Sequence, residues 1–206
     1  KRDEMAGEPC LKSLAELPEA PDAVFVGVNR HLTIEMVAEL NAMGVGGAVS
    51  FASGFAEVGE KGAALQEDLV KAAGEMPLAG PNCYGVLNYL DGVTLWPDQH
   101  GGHKVDEGVA ILSQSGNIAI SMTMQQRNLP IAYMITLGNQ AVMGVTEFIE
   151  AMLDDPRIKA IGILIEGLKD VAAFSRAAIR ALEKGIPIIA IKSGRSEPGA
   201  AITVSH

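Results

Sequence analysis

The chain has 206 residues, enough for one or two α/β domains with a hydrophobic core. Apolar residues make up 48% of it and charged residues 20%, a globular composition, while aromatic residues make up 4%, too few for stacking platforms that bind single-stranded nucleic acid. The net charge of −9 argues against nucleic acid or an anionic membrane as a partner, although it leaves room for a local basic pocket.

The first part of the chain alternates short apolar runs with helical periodicity, which is typical of a parallel β-α-β sheet. The valine-rich run at residues 23–28 suits a strand buried on both faces, and Gly44 is suited to end the helix that follows. The predicted elements are strands at 23–28, 45–51 and 76–79 and helices at 33–43 and 60–73.

Residues 88–107 interrupt this alternation with turn-forming and charged residues, so we predict that they connect two domains. The alternation then resumes, and its four strands and three helices make a doubly wound unit. The predicted strands are 109–112, 131–137, 158–165 and 187–191, and the helices are 117–127, 146–153 and 171–184. The sequence therefore predicts an α/β fold of two successive doubly wound units, at residues 1–100 and 105–206.

The cysteines and the chain ends suggest where the protein works. Cys10 and Cys83 are too few for a disulfide framework and are typical of a reducing cytoplasm. The sequence contains no secretory signal and no apolar run long enough to span a bilayer, so we expect a cytoplasmic protein without a membrane partner. The chain begins at Lys1 and stops at His206 without a closing helix, so we expect it to be a piece of a longer protein.

Ligands of open parallel sheets bind beyond the carboxyl ends of the strands, where the unusual residues of this sequence collect. Ser115, Gly116 and Asn117 open a helix after strand 109–112, and free N–H groups at a helix start can hold phosphate. A tight strand-to-helix turn, however, needs small residues in any such fold, so the pattern by itself leaves both interpretations open.

Two further residues suggest chemistry at the same edge. Glu166 follows the apolar strand 158–165 and could hold an imidazole by one nitrogen, so that the other nitrogen can attack. His206 is the candidate imidazole, because a neutral imidazole is nucleophilic near neutral pH and can carry a transferable group. The alternatives are a glutamate that faces solvent and an ordinary solvated histidine.

Other candidate residues have simpler interpretations. Asn82 lies in a turn and could donate to a ligand carbonyl, whereas Cys83 lines a pocket without being a nucleophile, because no partner is evident. His31, His100 and His103 lack metal-ligand spacing, so no metal site is predicted. The chain has neither a P-loop nor a well-placed Gly-x-Gly-x-x-Gly, which weighs against a dehydrogenase-like domain.

Seven short blocks, in order and in register along nearly the whole chain, resemble those of the NDP-forming acyl-CoA synthetases, relatives of the succinyl-CoA ligase α subunit. The blocks are Ser53-Gly54-Phe55-Ala56-Glu57, Gly80-Pro81-Asn82-Cys83-Tyr84-Gly85-Val86-Leu87-Asn88, Ser113-Gln114-Ser115-Gly116, Leu137-Gly138-Asn139, Asp154-Asp155-Pro156, Ile165-Glu166-Gly167 and Lys192-Ser193-Gly194-Arg195-Ser196-Glu197. Each block is modest, but seven together are specific.

The resemblance implies a partial Rossmann-like CoA-binding domain followed by a flavodoxin-like ligase domain. It implies that Ser205-His206 begins the family's phosphohistidine loop, with His206 as the phosphate carrier and Glu166 as the residue that steadies it. Residues 115–117 would hold the phosphate. The residues expected near CoA are Val28, Asn29, Ser53, Gly54, Asn82 and Cys83, with Lys1 as a basic neighbour.

The sequence also departs from the family. The glycine-rich segment that cradles the CoA diphosphate and the ATP-grasp domain are absent from it, and Val142 stands where relatives often have aspartate. ATP or ADP and Mg²⁺ are expected to bind only in the ATP-grasp part, so we expect the chain to be inactive alone.

The implied reaction interconverts acyl-CoA, a nucleoside diphosphate and phosphate with a carboxylic acid, CoA and a nucleoside triphosphate. It would pass through an acyl phosphate and a phosphohistidine, with an ATP-grasp domain or subunit as partner in an oligomer. The alternative is a regulatory module of a protein acyltransferase that senses CoA or another ligand. The sequence that follows His206 would separate the two.

Overall fold

The structure is a computed structural model that describes residues 3–193, and that range contains five α-helices and eleven strands. Nine of the strands form the sheets of two α/β units, and the first two form a separate hairpin. Lys1 and His206 therefore lie outside the described residues. The α/β class and the two units built mainly on parallel strands are as the sequence predicts.

The first unit is a three-stranded parallel sheet, ordered β3-β4-β5, with two long helices. A small hairpin precedes it. The elements are β1 (Glu4–Met5), β2 (Glu8–Pro9), β3 (Val24–Val26), α1 (Arg30–Met43), β4 (Ala48–Ser50), α2 (Glu60–Ala73) and β5 (Leu78–Ala79), with 3-10 turns at Leu14–Glu16 and Ala56–Val58. Val37, Leu40, Leu69 and Leu78 are fully buried in its core. This order confirms the predicted β-α-β-α-β series, although the strands are shorter than predicted.

Helix α1 begins three residues earlier than the apolar periodicity predicts, because Asn29 caps it. The Asn29 side-chain oxygen accepts hydrogen bonds from the backbone N–H groups of His31 (3.1 Å) and Leu32 (3.2 Å), which have no partner inside the helix. The helix ends at Gly44, whose left-handed conformation (φ 76°) confirms the predicted C-cap. The capped start of α1 thereby directs Arg30 and His31 to the end of the first sheet where strand β3 finishes.

The second unit is a six-stranded mixed sheet with the order β11-β10-β8-β9-β6-β7. Its elements are β6 (Val86–Asn88), β7 (Val93–Leu95), β8 (Gly108–Ser113), α3 (Gly116–Thr123), β9 (Ile131–Thr136), α4 (Val145–Met152), β10 (Ile158–Ile165), α5 (Val171–Glu183) and β11 (Ile188–Lys192). Strand β8 is followed in the chain by β9 on one side and then by β10 on the other. The order in which successive strands are added to the sheet therefore reverses at β8. Ligands of open α/β sheets bind beside such switch points.

The predicted connection between domains at residues 88–107 contains the last residue of β6 and all of β7. These strands form an antiparallel hairpin that pairs with β9, so they belong to the second sheet although they lie within the predicted first domain. Asp91-Gly92, which indicated a linker, is the tight turn of this hairpin, where Gly92 has a φ of 74°. Residues 96–107 contain no helix or strand, and the predicted domain limits stay a prediction.

The loop after β9 joins the two units by extending the first sheet. Alternate residues of this loop donate backbone hydrogen bonds to the chain around the end of β5. These bonds run from Asn139 to Pro81 (2.9 Å), from Ala141 to Gly80 (2.8 Å) and from Met143 to Leu78 (3.1 Å), with a parallel bridge between Ala79 and Met143. We call this pairing of residues 139–143 with residues 78–81 the inter-unit ladder. It fixes one unit against the other through the backbone.

Val142 strengthens the same junction. Its half-buried side chain packs against the hydrophobic core of the first unit, although the residue belongs to a loop of the second. An aspartate here would place a charge against apolar neighbours, at a cost in free energy unless it found a partner. In this chain the position is therefore a hydrophobic contact between the units.

Gly138 provides a test of the ladder. It has a φ of 54°, and a Cβ atom there would lie 2.2 Å from the carbonyl oxygen of Pro81. The matched control is Gly92→Ala, because Gly92 also has a positive φ but a Cβ there would meet nothing within 4 Å. Both substitutions carry backbone strain, but only Gly138→Ala also pushes the ladder apart.

We expect Gly138→Ala to lower the free energy of unfolding by at least about 1 kcal/mol more than Gly92→Ala does. Urea denaturation followed by circular dichroism measures both values. Equal losses in the two variants would mean that the close approach of Gly138 to Pro81 does not hold the units together.

Candidate functional site

A cleft of about 1120 Å³ lies between the two units. It is walled by the segments that follow β3, β4 and β5 of the first sheet and β8, β9 and β10 of the second. Nine of the residues that the sequence marked line it: Val28, Asn29, Ser53, Asn82, Cys83, Ser115, Gly116, Asn117 and Glu166. Gly54 lies buried behind the wall, and His206 lies outside the described residues. The cleft is large enough for a cofactor-sized ligand.

Residues 115–117, which we call the anion cradle, form the start of α3. The Ser115 hydroxyl caps the helix by accepting from the N–H of Ile118 (3.4 Å). The Ser113 hydroxyl fixes the preceding turn, since it accepts from the Ser115 N–H (3.1 Å) and donates to the Ser115 carbonyl (2.8 Å). The first N–H groups of a helix have no partner within it, so this end of α3 can hold an anion in the cleft.

Gln114 brings Glu166 to the same side of the sheet as the anion cradle. Its side-chain oxygen accepts from the backbone N–H groups of Glu166 and Gly167, the latter at 3.1 Å. The backbone N–H of Gln114 donates to the backbone carbonyl of Leu164 (3.0 Å). The carboxyl ends of β8 and β10 are therefore tied together at the switch point. Sequence reasoning did not single out Gln114, although it lies in the block that contains the cradle.

A polar network built on Glu57 crosses the cleft from the first unit to the second. One Glu57 carboxylate oxygen accepts from the backbone N–H groups of Gly54 and Phe55, the latter at 3.2 Å. The other accepts from the Asn139 side-chain amide, which also donates to Gln66 (2.9 Å). The Asn139 side-chain oxygen in turn accepts from Asn82 (3.4 Å). Glu57 therefore positions the loop at residues 53–55 and holds the inter-unit ladder.

Hydrogen bonding outweighs burial in its effect on the pKa of Glu57. Burial acts to raise the pKa of this carboxyl, but hydrogen bonds from Asn139 and from the backbone N–H groups of Gly54 and Phe55 outweigh it. The pKa of Glu57 is therefore lowered from its usual 4.5, so the group is a carboxylate at neutral pH. Glu57 and Asn139 both occur in blocks that the sequence marked, but only the fold shows that they meet.

Cys83 has no nucleophilic character in this environment. Its side chain is 4% exposed and its thiol donates to the carbonyl oxygen of Ser50 (3.5 Å). Burial raises the pKa of the thiol to about 12, so it stays protonated at neutral pH. The residue lines the cleft with this protonated thiol, and its role in binding stays a prediction.

The charged groups of the cleft are of both signs. Arg30 comes from the first turn of α1, and the carboxylates are those of Glu57 and Glu166. Arg30 donates to the carbonyl of Gly54 (3.4 Å), which keeps its guanidinium beside the loop at 53–55. The negative charge of a ligand can therefore be offset at the start of α1 and at the anion cradle, but not evenly along the cleft.

Residues 3–193 contain no group of three histidine, cysteine, aspartate or glutamate side chains that could hold a metal ion. Within the same range, no helix combines the length and apolarity that crossing a bilayer requires.

Comparison with known families divides the chain in two. Residues 1–89 match the family described as a CoA binding domain, and residues 106–206 match the family described as a succinyl-CoA ligase like flavodoxin domain. Both matches confirm the resemblance seen in the sequence blocks. The cleft lies where these two regions face each other.

Individual relatives match the whole length of the chain. The chain is 33% identical to trans-feruloyl-CoA synthase FCS1 from an unknown prokaryotic organism, covering 100% of this chain and 30% of that protein. It is 30% identical to subunit alpha of acetate–CoA ligase [ADP-forming] II from Pyrococcus furiosus, covering 100% of this chain and 45% of that subunit.

A solved structure gives the same result for the fold. Acetyl-coenzyme A synthetase 1 (dinucleotide forming) from Ca. Korarchaeum cryptofilum, in complex with phosphate and ADP, is 30% identical with a TM-score of 0.87, over 100% of this chain and 45% of that chain. The chain thus spans less than half the length of each of these three proteins.

The Glu57 network predicts a specific dependence of stability on pH. The folded-state pKa lies below 4.5, so the charged carboxylate stabilises the fold above pH 4.5, and this contribution is lost as the pH falls through the lowered pKa. Glu57→Gln removes this contribution to stability. An amide has one oxygen in place of two, so it cannot accept from Gly54, Phe55 and Asn139 together. We expect the variant to be less stable than the wild type by about 1 kcal/mol at neutral pH.

Thermal denaturation across acidic and neutral pH checks this expectation. The gap between wild type and Glu57→Gln should be constant at neutral pH and should narrow below pH 4.5. Glu75→Gln, in an exposed loop, is the matched control and should show no such gap. A gap that did not change with pH would contradict a role for the Glu57 charge.

Proposed function

Because the chain belongs to the NDP-forming acyl-CoA synthetases, we propose that it contributes the CoA site and the phosphate site of an acid–thiol ligase. The enzyme would interconvert acyl-CoA, a nucleoside diphosphate and phosphate with a carboxylic acid, CoA and a nucleoside triphosphate. The relatives are named for different acyl groups, acetate and feruloyl, so their names do not identify the carboxylic acid that this enzyme uses.

One observation carries the proposal. A single cleft is lined by the anion cradle and Glu166 from the second unit and by Asn29, Ser53 and Asn82 from the first. A reaction between phosphate and an acyl-CoA needs both reactants side by side. Holding them together in one site lowers the activation free energy by a large part. Two unrelated binding modules would not need their marked residues to share one cavity.

The CoA portion is assigned to the walls of the first unit. Val28, Asn29, Ser53 and Gly54 lie on or directly behind that wall, and Asn82 and Cys83 form the floor beside them. Arg30 and the positive end of α1 can offset the negative charge of the CoA phosphates.

The first chemical step joins phosphate to the acyl group. A phosphate oxygen attacks the thioester carbonyl carbon, the new C–O bond forms, and the C–S bond breaks to give acyl phosphate and CoA thiolate, which takes a proton from water. The N–H groups at the start of α3 offset the charge on the attacking phosphate.

The second step transfers the phosphoryl group to His206. The bond between phosphorus and the acyl oxygen breaks, the carboxylate leaves, and a bond forms between phosphorus and an imidazole nitrogen. Glu166, which lines the cleft, would accept a hydrogen bond from the other ring nitrogen, and this bond would fix the tautomer and stabilise the cationic product. This assignment rests on the Ser205-His206 sequence and on the position of Glu166 beside the cradle.

Partners and location complete the proposal. An ATP-grasp domain or subunit would take the phosphoryl group from His206 to the nucleotide with Mg²⁺, and the relative from Pyrococcus furiosus is itself a subunit alpha. We expect an oligomer for this reason. A cytoplasmic location is supported by Cys10 and Cys83, which are both free thiols.

The decisive experiment is phosphoryl transfer in the chain together with its ATP-grasp domain or subunit. Incubation with γ-labelled ATP and Mg²⁺ should give acid-labile, base-stable label, because a phosphoramidate forms on His206. We expect His206→Ala to abolish the label, and Glu166→Gln to slow its formation by about 10²-fold.

The matched control is His103→Ala, since His103 is an exposed histidine in the segment between β7 and β8. It should be labelled as fast as the wild type. Label that persisted in His206→Ala, or no label in any variant, would instead favour a ligand-sensing module.

A further inference from the structure

A row of aromatic side chains crosses the boundary between the two units. Aromatic residues make up only 4% of the chain, yet four aromatic rings lie here in a row, each close to the next. The ring centroids are 5.9 Å apart for Phe25 and Phe51, 5.8 Å for Phe51 and Tyr84, and 5.3 Å for Tyr84 and Trp96. A concentration of rings in a chain with few of them calls for an explanation beyond general core packing.

The middle pair of this row faces the cleft. Phe51 and Tyr84 both line it, their rings meet edge to face at 89°, and Phe51 is 40% exposed. Trp96, by contrast, is 9% exposed and supports Tyr84 from behind. The exposed part of this pair is apolar surface that a ligand in the cleft would cover.

The pair lies directly beside the anion cradle. The Tyr84 ring packs on Gly116, the first residue of α3, so closely that a Cβ atom on Gly116 would fall 2.8 Å from Tyr84 Cδ2. A phosphate held at the start of α3 would therefore touch the edge of the aromatic wall. If that phosphate attacks a thioester, the carbonyl carbon of the acyl group must lie next to the phosphate. The rest of the acyl group then extends along the aromatic wall.

We propose, on the basis of the function proposed above, that Phe51 and Tyr84 form the acyl subsite and select acids with an aromatic ring next to the carboxyl group. A flat ring can pack against the exposed part of the pair at the centroid distances that the pair itself adopts, whereas acetate offers only one methyl group to it. Contact with the two rings should therefore make the affinity for an aromatic acyl-CoA about tenfold higher than the affinity for acetyl-CoA.

The test measures binding to the full chain by isothermal titration calorimetry, with CoA, acetyl-CoA and benzoyl-CoA as ligands. Benzoyl-CoA should bind about tenfold more tightly than acetyl-CoA. In Tyr84→Leu and in Phe51→Leu this ratio should fall close to one, while the affinity for CoA changes less than about twofold. Because Phe51 is partly exposed, Phe51→Leu keeps the test informative if Tyr84→Leu fails to fold.

The matched control is Tyr133→Leu, which removes a half-buried ring from β9 away from the cleft and should leave the ratio unchanged. Trp96, the one tryptophan of the chain, gives a second readout, since benzoyl-CoA should change its fluorescence more than CoA does.

Three results would overturn the proposal. A ratio near one in the wild type would remove the selectivity itself. Equal losses for CoA and both acyl-CoA ligands in Phe51→Leu and Tyr84→Leu would mean that the pair contacts the CoA moiety instead. If none of the three ligands bound to the wild type, the CoA site itself would be refuted, and the acyl subsite with it.

Discussion

The inter-unit ladder is the constraint on which the rest of the structure depends. Backbone hydrogen bonds from residues 139–143 to residues 78–81 add part of the second unit to the first sheet, and Gly138 makes the close approach possible. Each such bond is worth only about 1 kcal/mol, but together they leave little freedom of rotation between the units. Since the cleft is walled by both units, the ladder sets its width.

The same loop carries the side chain that organises the cleft. Asn139, the first residue of the ladder, donates to Glu57, and Glu57 in turn holds the loop at residues 53–55. The wall assigned to CoA and the anion cradle are therefore linked through one short chain of contacts. A preformed site of this kind spends less binding free energy on ordering its own parts, which leaves more for orienting the reactants.

Local sequence signals predicted what is local in the structure. The alternation of strands and helices, the cap at Gly44 and the position of the cradle after β8 all follow from short-range patterns. The hairpin of β6 and β7 was missed because Asp91-Gly92 is equally typical of a linker and of a tight turn. The contact of Glu57 with Asn139 joins residues that no local pattern pairs, and the packing of Val142 depends on the arrangement of two units.

Amide hydrogen exchange at Ala141 and Met143 tests the central claim most directly. If the ladder makes the two units one body, these two amides should exchange only through global unfolding, with the same free energy of opening as Leu112 in the central strand β8. Exchange as fast as that of an exposed loop residue such as Gln99, while Leu112 stays protected, would mean that the units separate readily. The cleft would then not be a preformed site.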